Sequence, residues 1–548
     1  TEREQSRRIK LRHLLLLLLR TALIACVVFA AARPVASVGV GAYHPPTALG
    51  LIVDNSLSSG AVVDGRRVVE RLAARARETV RQLTEQDRLW LVLADGVPRR
   101  LGRSQALVVL DSVTPSHRRL DLGGAVRALA AVVSRDPLPE REVVVLSDLQ
   151  RSAWSAGETP NIRVLAWTPG LALANRSIDS ARTEPAVWSP RGAVVATLGG
   201  PPGGGGPAAL RVSLDDLELA RGVGAPGDRV VLEVRAARRG WFAARLSLDP
   251  DELRADDDWY LGIRVAEPVA ATAEAGAGRY VQAGLAVLQE GGRATAGNAV
   301  VLADRVAGGR AVVFPPADPA RVGAVNRALA ARGLSAQYGD RLDGEWQVRG
   351  DIGPADGIAV RRRLRLNGSG TVLARAGAEP WLVREGDLVL VGSRLDEEWT
   401  ALPLSAAFIP FLDLLVNRIA AGEAQVVAAS PGDVVTLPPG ADAMLTPAGP
   451  VRAQGDRRLT APLDPGVYFL RSEAGDTVGA LAVNHDPRES QLQPVDARIL
   501  RATLGPTAQL LGERALDREL FTGARRAELS GAFLVLAMLA GVLELTVA

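Results

Sequence analysis

Two apolar runs, one at each end of the chain, restrict most what this sequence can fold into. Residues 14–32 form a 19-residue stretch interrupted only by Arg20 and Thr21, and residues 529–548 form a second of 20 residues with one acid, Glu544. At about 1.5 Å per helical residue the first run reaches roughly 28 Å, enough to cross a hydrocarbon core. Arg3, Arg7, Arg8, Lys10 and Arg12 precede it, and Arg33 and Pro34 follow. The positive-inside rule then puts residues 1–12 in the cytoplasm and the body after Pro34 outside. Arg20 is expected to snorkel back toward the headgroups, with a partner helix as the alternative it could face, and Glu544 to reach the far interface. A signal peptide ending at Ala30-Ala31-Ala32 is the rival for the first run, and a buried amphipathic helix for the second. The chain opens on Thr1, so further sequence is expected before it. Two spans would leave residues 34–524 on one side, the periplasmic face of a bacterial inner membrane.

Composition narrows the body's chemistry. The net charge is only +3 over 548 residues, and Lys10 is the one lysine. Acids interleave with the arginines throughout, whereas a nucleic-acid domain gathers its basic residues on one face, so no nucleic-acid partner is expected. Cys26 is the only cysteine and lies in the first apolar run. That excludes an intrachain disulfide, a cysteine-based zinc site and a thiol nucleophile in the body. His13, His44, His117 and His485 are scattered without an i, i+4 pair.

The fold class is multidomain, α/β and β. In residues 47–175, apolar strands at 49–53, 89–93, 142–146 and 162–167 alternate with helical spacing at 62–82 and 122–133. Such alternation predicts a parallel sheet covered by helices on both faces, with its functional loops at the carboxyl ends of the strands. Asp54, Ser56 and Ser58 follow the first strand as Asp-x-Ser-x-Ser, and Asp148 follows the strand at 142–146. One acid and two hydroxyls at alternate positions can converge on a hard divalent cation. An Asp- and Ser-capped turn is the plainer alternative. Residues 176–267 alternate as a β-sandwich, 268–424 return to α/β, 425–487 form a small β module, and 488–524 suggest a helical connector. The glycine run 199–207 lacks a Lys-Ser/Thr ending and a following helix, so it predicts a flexible hairpin, not a phosphate loop.

Several segments together resemble the membrane-bound von Willebrand factor A proteins of the bacterial aerotolerance (BatA-like) family. They are the Arg-rich start with Leu14–Arg20 and Ala32-Arg33-Pro34, the Asp54-x-Ser56-x-Ser58 loop, and Ser147-Asp148-Leu149-Gln150. Leu248–Asp257, Leu395–Thr400 and Val483–Ser490 extend the resemblance over nearly the whole chain. It implies a Rossmann-like A domain at 47–175 whose adhesion site binds Mg²⁺ through Asp54, Ser56, Ser58 and Asp148. It also implies a glutamine-amidotransferase-like domain at 268–424, inactive here because no cysteine follows Cys26. The family's site takes a threonine where this chain has Leu120, which withholds one oxygen and makes the cation optional; Asp121, at a helix start, is expected to point elsewhere. A link to MoxR-type AAA+ ATPases and envelope stress is implied as well.

Two other acid-rich stretches receive the blander interpretation. Asp249, Asp251, Glu252, Asp256, Asp257 and Asp258 lack the spacing and glycine of a calcium loop and predict a solvated acidic turn. Asp396, Glu397 and Glu398 predict a charged loop over a buried Trp399. The expected function is that of a non-catalytic, membrane-anchored scaffold contacting other membrane or envelope proteins, with the Asp54/Asp148 face as a docking surface. An accessory subunit of a large respiratory or photosynthetic membrane complex is the alternative, and an envelope hydrolase the weakest one.

Overall fold

The computed structural model describes residues 2–32, 35–37, 44–157, 161–170, 175–189, 191–201, 206–350, 352–419, 425–512, 515–521, 526–528 and 530–547. The chain divides into two compact units. One comprises Thr1–Asn175, Glu252–Ala255 and Arg488–Ala548, the other Arg176–Asp251 and Asp256–Pro487. The first unit is therefore built from both ends of the sequence.

Its labelled elements are α1 (Glu2–Ala31), β1 (Thr47–Val53), α2 (Val68–Arg81), β2 (Arg88–Val92), β3 (Arg99–Leu101), α3 (Arg103–Asp111), α4 (Leu122–Val133), β4 (Glu140–Leu146), β5 (Arg163–Trp167), α5 (Ala497–Leu504), β6 (Ala508–Leu511) and α6 (Ser530–Val547). The six-stranded sheet runs β6-β5-β4-β1-β2-β3, parallel throughout except for β3. Every residue of β1 is buried, as expected of a parallel strand covered on both faces. Leu49, Leu51 and Val53 share a core with Leu72, Ala76 and Val80 of α2. Ala48 and Ile52 on the other face share one with Val126, Leu129 and Val133 of α4 and Leu500 and Leu504 of α5. Each large side chain so buried contributes about 1.5–3 kcal/mol. Gly50 permits the approach of α4, because a Cβ there would lie 2.8 Å from Leu129 Cδ2 and 3.2 Å from Val133 Cγ2.

Residues 488–524 are thus not a helical connector. Among the described residues its α-helical parts are Ala497–Leu504 and the short Leu516–Glu519, after a 3₁₀ turn at Pro487–Ser490, and Ala508–Leu511 adds an edge strand paired with β5. The segment ends by docking on buried Glu142 of β4, which accepts a bond from Phe521 N at 2.9 Å. Arg163 bridges Glu142 (3.2 Å) and Glu519 (2.5 Å), and Phe521 stacks on His44 at 3.7 Å.

The terminal apolar runs lie in α1 and α6, which pair antiparallel. Phe29 stacks on Phe533 (5.4 Å), Leu23 Cδ1 lies 3.4 Å from the Cβ position of Gly541, and Arg20 Nε meets Glu544 Oε1 at 2.6 Å. The register continues into a ribbon in which Val35–Ser37 pairs with Arg526–Glu528. Arg20 therefore faces a partner helix and is not snorkelled, and Glu544 is its partner instead of an interfacial group. Among the described residues, no helix is long and apolar enough to cross a membrane. The two expected spans are in that respect not borne out.

Among the described residues the second unit holds three larger sheets and a two-stranded ribbon pairing Val434–Thr436 with Arg458–Thr460. Seven antiparallel-dominated strands between Ser177 and Val265 enclose a core around Trp188, Leu210, Phe242 and Leu246. In the glycine run 199–207, residues 202–205 lie outside the described ones. A nine-stranded mixed sheet follows between Val269 and Val391, its parallel half made by Ala294–Ala296, Val269–Ala273, Val300–Ala303, Arg310–Val313 and Leu388–Val391. A five-stranded sheet closes the unit between Gln425 and Val483. Pro465 leads directly into its strand Gly466–Arg471.

Candidate cation site at the carboxyl end of the first sheet

β1 and β4 are neighbours in register, Val53 beside Leu146, so the loops that leave their carboxyl ends converge. Asp54 N bonds Leu146 O at 2.9 Å, and Ser147 N bonds Trp167 O at 3.2 Å. The first loop then turns through a 3₁₀ segment, Leu57–Gly60. Asp54 Oδ1 accepts from Ser56 N (2.9 Å), and Ser59 Oγ donates to Ser56 O (2.7 Å). Asn55 ties the loop to its surroundings by donating to Thr114 O and accepting from Ala94 N, both at 2.8 Å.

The structure brings all four sequence-predicted residues together. Ser147 Oγ bridges the two acids, donating to Asp54 Oδ2 (2.5 Å) and lying 3.2 Å from Asp148 Oδ1. Ser56 Oγ and Ser58 Oγ are 3.2 Å apart. Adjacent oxygens around a six-coordinate ion at about 2.1 Å stand roughly 3 Å apart, so the hydroxyl pair has a suitable spacing. Oxygen-only donors are also the right chemistry for a small divalent cation. Leu149, next to Asp148, holds φ +55°, a left-handed backbone that costs a β-carbon residue about 1–3 kcal/mol.

A fifth residue joins them that sequence reasoning missed. Glu489 is 2 % exposed, and its Oε2 accepts from Ser58 N at 3.3 Å. No local spacing could reveal it, since it lies 431 positions beyond Ser58. Burial foremost, then the charge of Asp54, pushes the Asp148 carboxyl up to about 7. Burial followed by the charges of Asp54 and Asp148 pushes Glu489 up to about 8. Asp54 is also raised, chiefly by burial.

Leu120 is buried in the core between the sheet and α4 and offers nothing to this site. Asp121 caps α4, accepting from Gly124 N (3.1 Å) and Ser155 Oγ (2.6 Å), so it points away as expected. The expected docking surface is not open. The returning chain covers it through Ser152 Oγ to Arg488 O (2.8 Å), Gln150 Nε2 to Glu489 O (3.0 Å), Arg151 N to Gln493 O (2.8 Å) and Val495 N to Leu149 O (2.8 Å).

The acid turn is solvated only in part: Glu252 is exposed, while Asp249, Asp251 and Asp258 are half-buried and Asp256 and Asp257 are covered. Asp251, Asp256 and Asp257 bring carboxylate oxygens within 4.8 Å of one another, and among the described residues they alone form such a group. Asp256 and Asp257 are buried. Asp251 Oδ2 accepts from Arg176 N at 2.7 Å, and Asp257 Oδ2 accepts from Asp251 N at 3.4 Å. Asp249 and Asp258 leave the cluster to pair with Arg211 and Arg245. A separate cavity of about 550 Å³ opens at the carboxyl ends of the parallel strands of the nine-stranded sheet. The Asp396-Glu397-Glu398 loop lines it with its acids divided: Asp396 pairs with Arg394, Glu397 with Arg279, and Glu398 with Arg362. Arg362 also lies over the ring of buried Trp399, 5.7 Å from its centroid. The charged loop over a tryptophan is as expected.

No family model and no curated protein matches the chain. Among solved structures, it is similar to the von Willebrand factor domain of the type V pili tip protein Mfa5 from Porphyromonas gingivalis, at 19% identity over 20% of this chain, with a TM-score of 0.17. The match takes in 39% of that chain. At that score the likeness carries no argument, and the site stands on its own geometry.

Proposed function

We propose that this protein is a non-catalytic scaffold held at a membrane by its paired terminal helices, with an A-type domain as its first unit. The observation that carries this is the antiparallel pairing of α1 with α6 together with the apolar surface the pair leaves open. Leu14, Leu17, Leu18, Val28 and Phe29 on α1 and Leu534, Val535, Met538, Leu539 and Val542 on α6 are all about half exposed or more. A continuous apolar surface of that kind needs a cover. At about 1.5 Å per residue the two apolar stretches reach roughly 28 and 30 Å, close to a hydrocarbon core, and the basic residues Arg3, Arg7, Arg8, Lys10 and Arg12 outnumber Arg33, Arg525 and Arg526 at the other end of the pair, which favours lipid as the cover. Arg20 and Glu544 would then neutralise each other within the bilayer. The body would lie on the periplasmic face of a bacterial inner membrane and contact other envelope proteins.

Asp54, Ser56, Ser58 and Asp148 are proposed to hold Mg²⁺ or a similar small divalent cation. The ion would neutralise crowded acids and cross-link two loops. A second role, as an accessory subunit of a large membrane complex, is favoured by the covered Asp54 face, because fixed contacts need no exposed metal switch.

The test is fractionation and protease access. The protein should resist alkaline carbonate extraction of membranes, and protease added outside spheroplasts should cut the 44–521 body. Release by carbonate, or an uncut body beside a digested periplasmic control, would overturn the proposal. A stoichiometric complex recovered in mild detergent would select the accessory-subunit role.

A further inference from the structure

We infer that the cavity at the carboxyl ends of the parallel strands of the nine-stranded sheet binds a small organic oxyanion, a carboxylate or phosphate monoester with an apolar body, on the free side of the Arg394 guanidinium. This site is separate from the Asp54 cluster and does not depend on an ion there.

Arg394 follows the strand Leu388–Val391 and is fixed by the protein itself. Its Nε donates to Asp396 Oδ2 at 3.2 Å, and its Nη1 donates to Pro315 O at 2.9 Å and Gly276 O at 3.2 Å. Three of the five guanidinium donors are thereby used, and the side chain is only 12 % exposed. Among the described residues no acceptor meets the two N–H groups on Nη2, on a residue that lines the cavity. A guanidinium already held in place loses little freedom on binding, and its charged donors suit a carboxylate or phosphate oxygen.

The backbone keeps the approach to Nη2 clear. Gly278 holds φ +100°, and a Cβ there would stand 3.3 Å from Nη2. Gly278 opens the helix Arg279–Glu290, whose start no side chain caps. The positive end of that helix therefore lies beside Nη2 and adds to the attraction for an anion.

The walls settle sign and size. Four arginines line the cavity against three acids. Asp396 is turned to Arg394, Glu397 to Arg279 and the Tyr280 hydroxyl, and Glu398 to Arg362. The surplus is positive, so a cation has no open partner here. The volume of about 550 Å³ falls in the range of small-molecule sites. Pro316, Pro319, Val322 and Leu364 give it an apolar wall for the body of the ligand.

The experiment uses the full chain in detergent micelles and four probes built on one ring: phenylacetate, phenyl phosphate, phenylacetamide and phenethylamine. Binding is followed by saturation-transfer NMR of the probe and by the thermal midpoint of the protein. At least one of the two anions should bind and raise the midpoint, and the tighter of them tells a carboxylate site from a phosphate site. Phenylacetamide and phenethylamine should bind about tenfold more weakly or worse. Arg394→Lys keeps the charge but removes Nη2, and should weaken the anion about tenfold. Val322→Trp leaves Arg394 in place, fills the cavity and should abolish anion binding. If Arg394→Lys folds poorly, Val322→Trp decides the matter. Equal binding of neutral and anionic probes, or parental anion affinity in either variant, would overturn the inference. A parent that binds neither anion would overturn it as well.

Discussion

The parallel strands of the six-stranded sheet and those of the nine-stranded mixed sheet end differently at the edge where α/β proteins place their sites. At the first sheet, Asp54, Ser56, Ser58 and Asp148 converge under a lid made by the chain's own residues 488–496, with Glu489 inserted. At the second, the strand ends open onto a cavity of about 550 Å³ whose acids are spent on arginines. The same topology thus nominates both places, and loop chemistry separates them. At the first the buried acids crowd one another; at the second each acid meets an arginine.

The largest expected effect concerns the lid's own support. Leu500 of α5 is fully buried against the first sheet, and Leu500→Ala should cost about 2–5 kcal/mol in urea unfolding. A loss under about 0.5 kcal/mol would mean that residues 488–521 are an appendage and not part of the first unit's core.

At the open cavity, Arg394 donates to Pro315 O (2.9 Å) and Gly276 O (3.2 Å) and pairs with Asp396. Arg394→Ala should cost about 1–3 kcal/mol by stranding those carbonyls. An unchanged denaturation midpoint would show that the cavity wall does not depend on it.

Much of this contrast was legible in the sequence. The strands of the first sheet at 49–53, 89–93, 142–146 and 162–167 stand out because buried parallel strands are continuously apolar, and the helix at 122–133 keeps strict spacing around Leu122, Val126, Leu129 and Val133. Asp54 and Asp148 follow from their places after two of those strands. What was illegible depends on distant partners. Ala508–Leu511 is four residues long and becomes a strand only by pairing with Arg163–Trp167. Glu489 gains its role from Ser58, and Arg20 from Glu544. The acidic turn looked solvated because nothing local tells that Asp256 and Asp257 are covered.

A smaller effect sharpens the separation of Asp121 from the cation site. Asp121→Ala removes the cap of α4 and should cost about 1 kcal/mol with Mn²⁺ affinity unchanged. A weakened Mn²⁺ affinity would bring Asp121 into the site after all.

The smallest expected signal is a pH slope in the second unit, measured in chelator. Burial first, then the charge of Asp251, pushes Asp257 from 3.8 up to about 7. The folded protein therefore holds this proton more tightly than the unfolded chain does. Its contribution to stability is complete below about pH 4 and is lost as pH rises through about 7. Asp257→Asn should flatten the stability profile between about pH 4 and about pH 7; a profile identical to the parent's would contradict the burial of this acid.

The central claim is that the Asp54 face is closed by the chain itself, and amide hydrogen exchange on the full-length protein reads it directly. The amides of Ser58, Arg151 and Val495, bonded to Glu489 Oε2, Gln493 O and Leu149 O, should be protected to an extent approaching that of β1 and β4. Fast exchange at these three amides, with the sheet still protected, would show an open face and contradict the account.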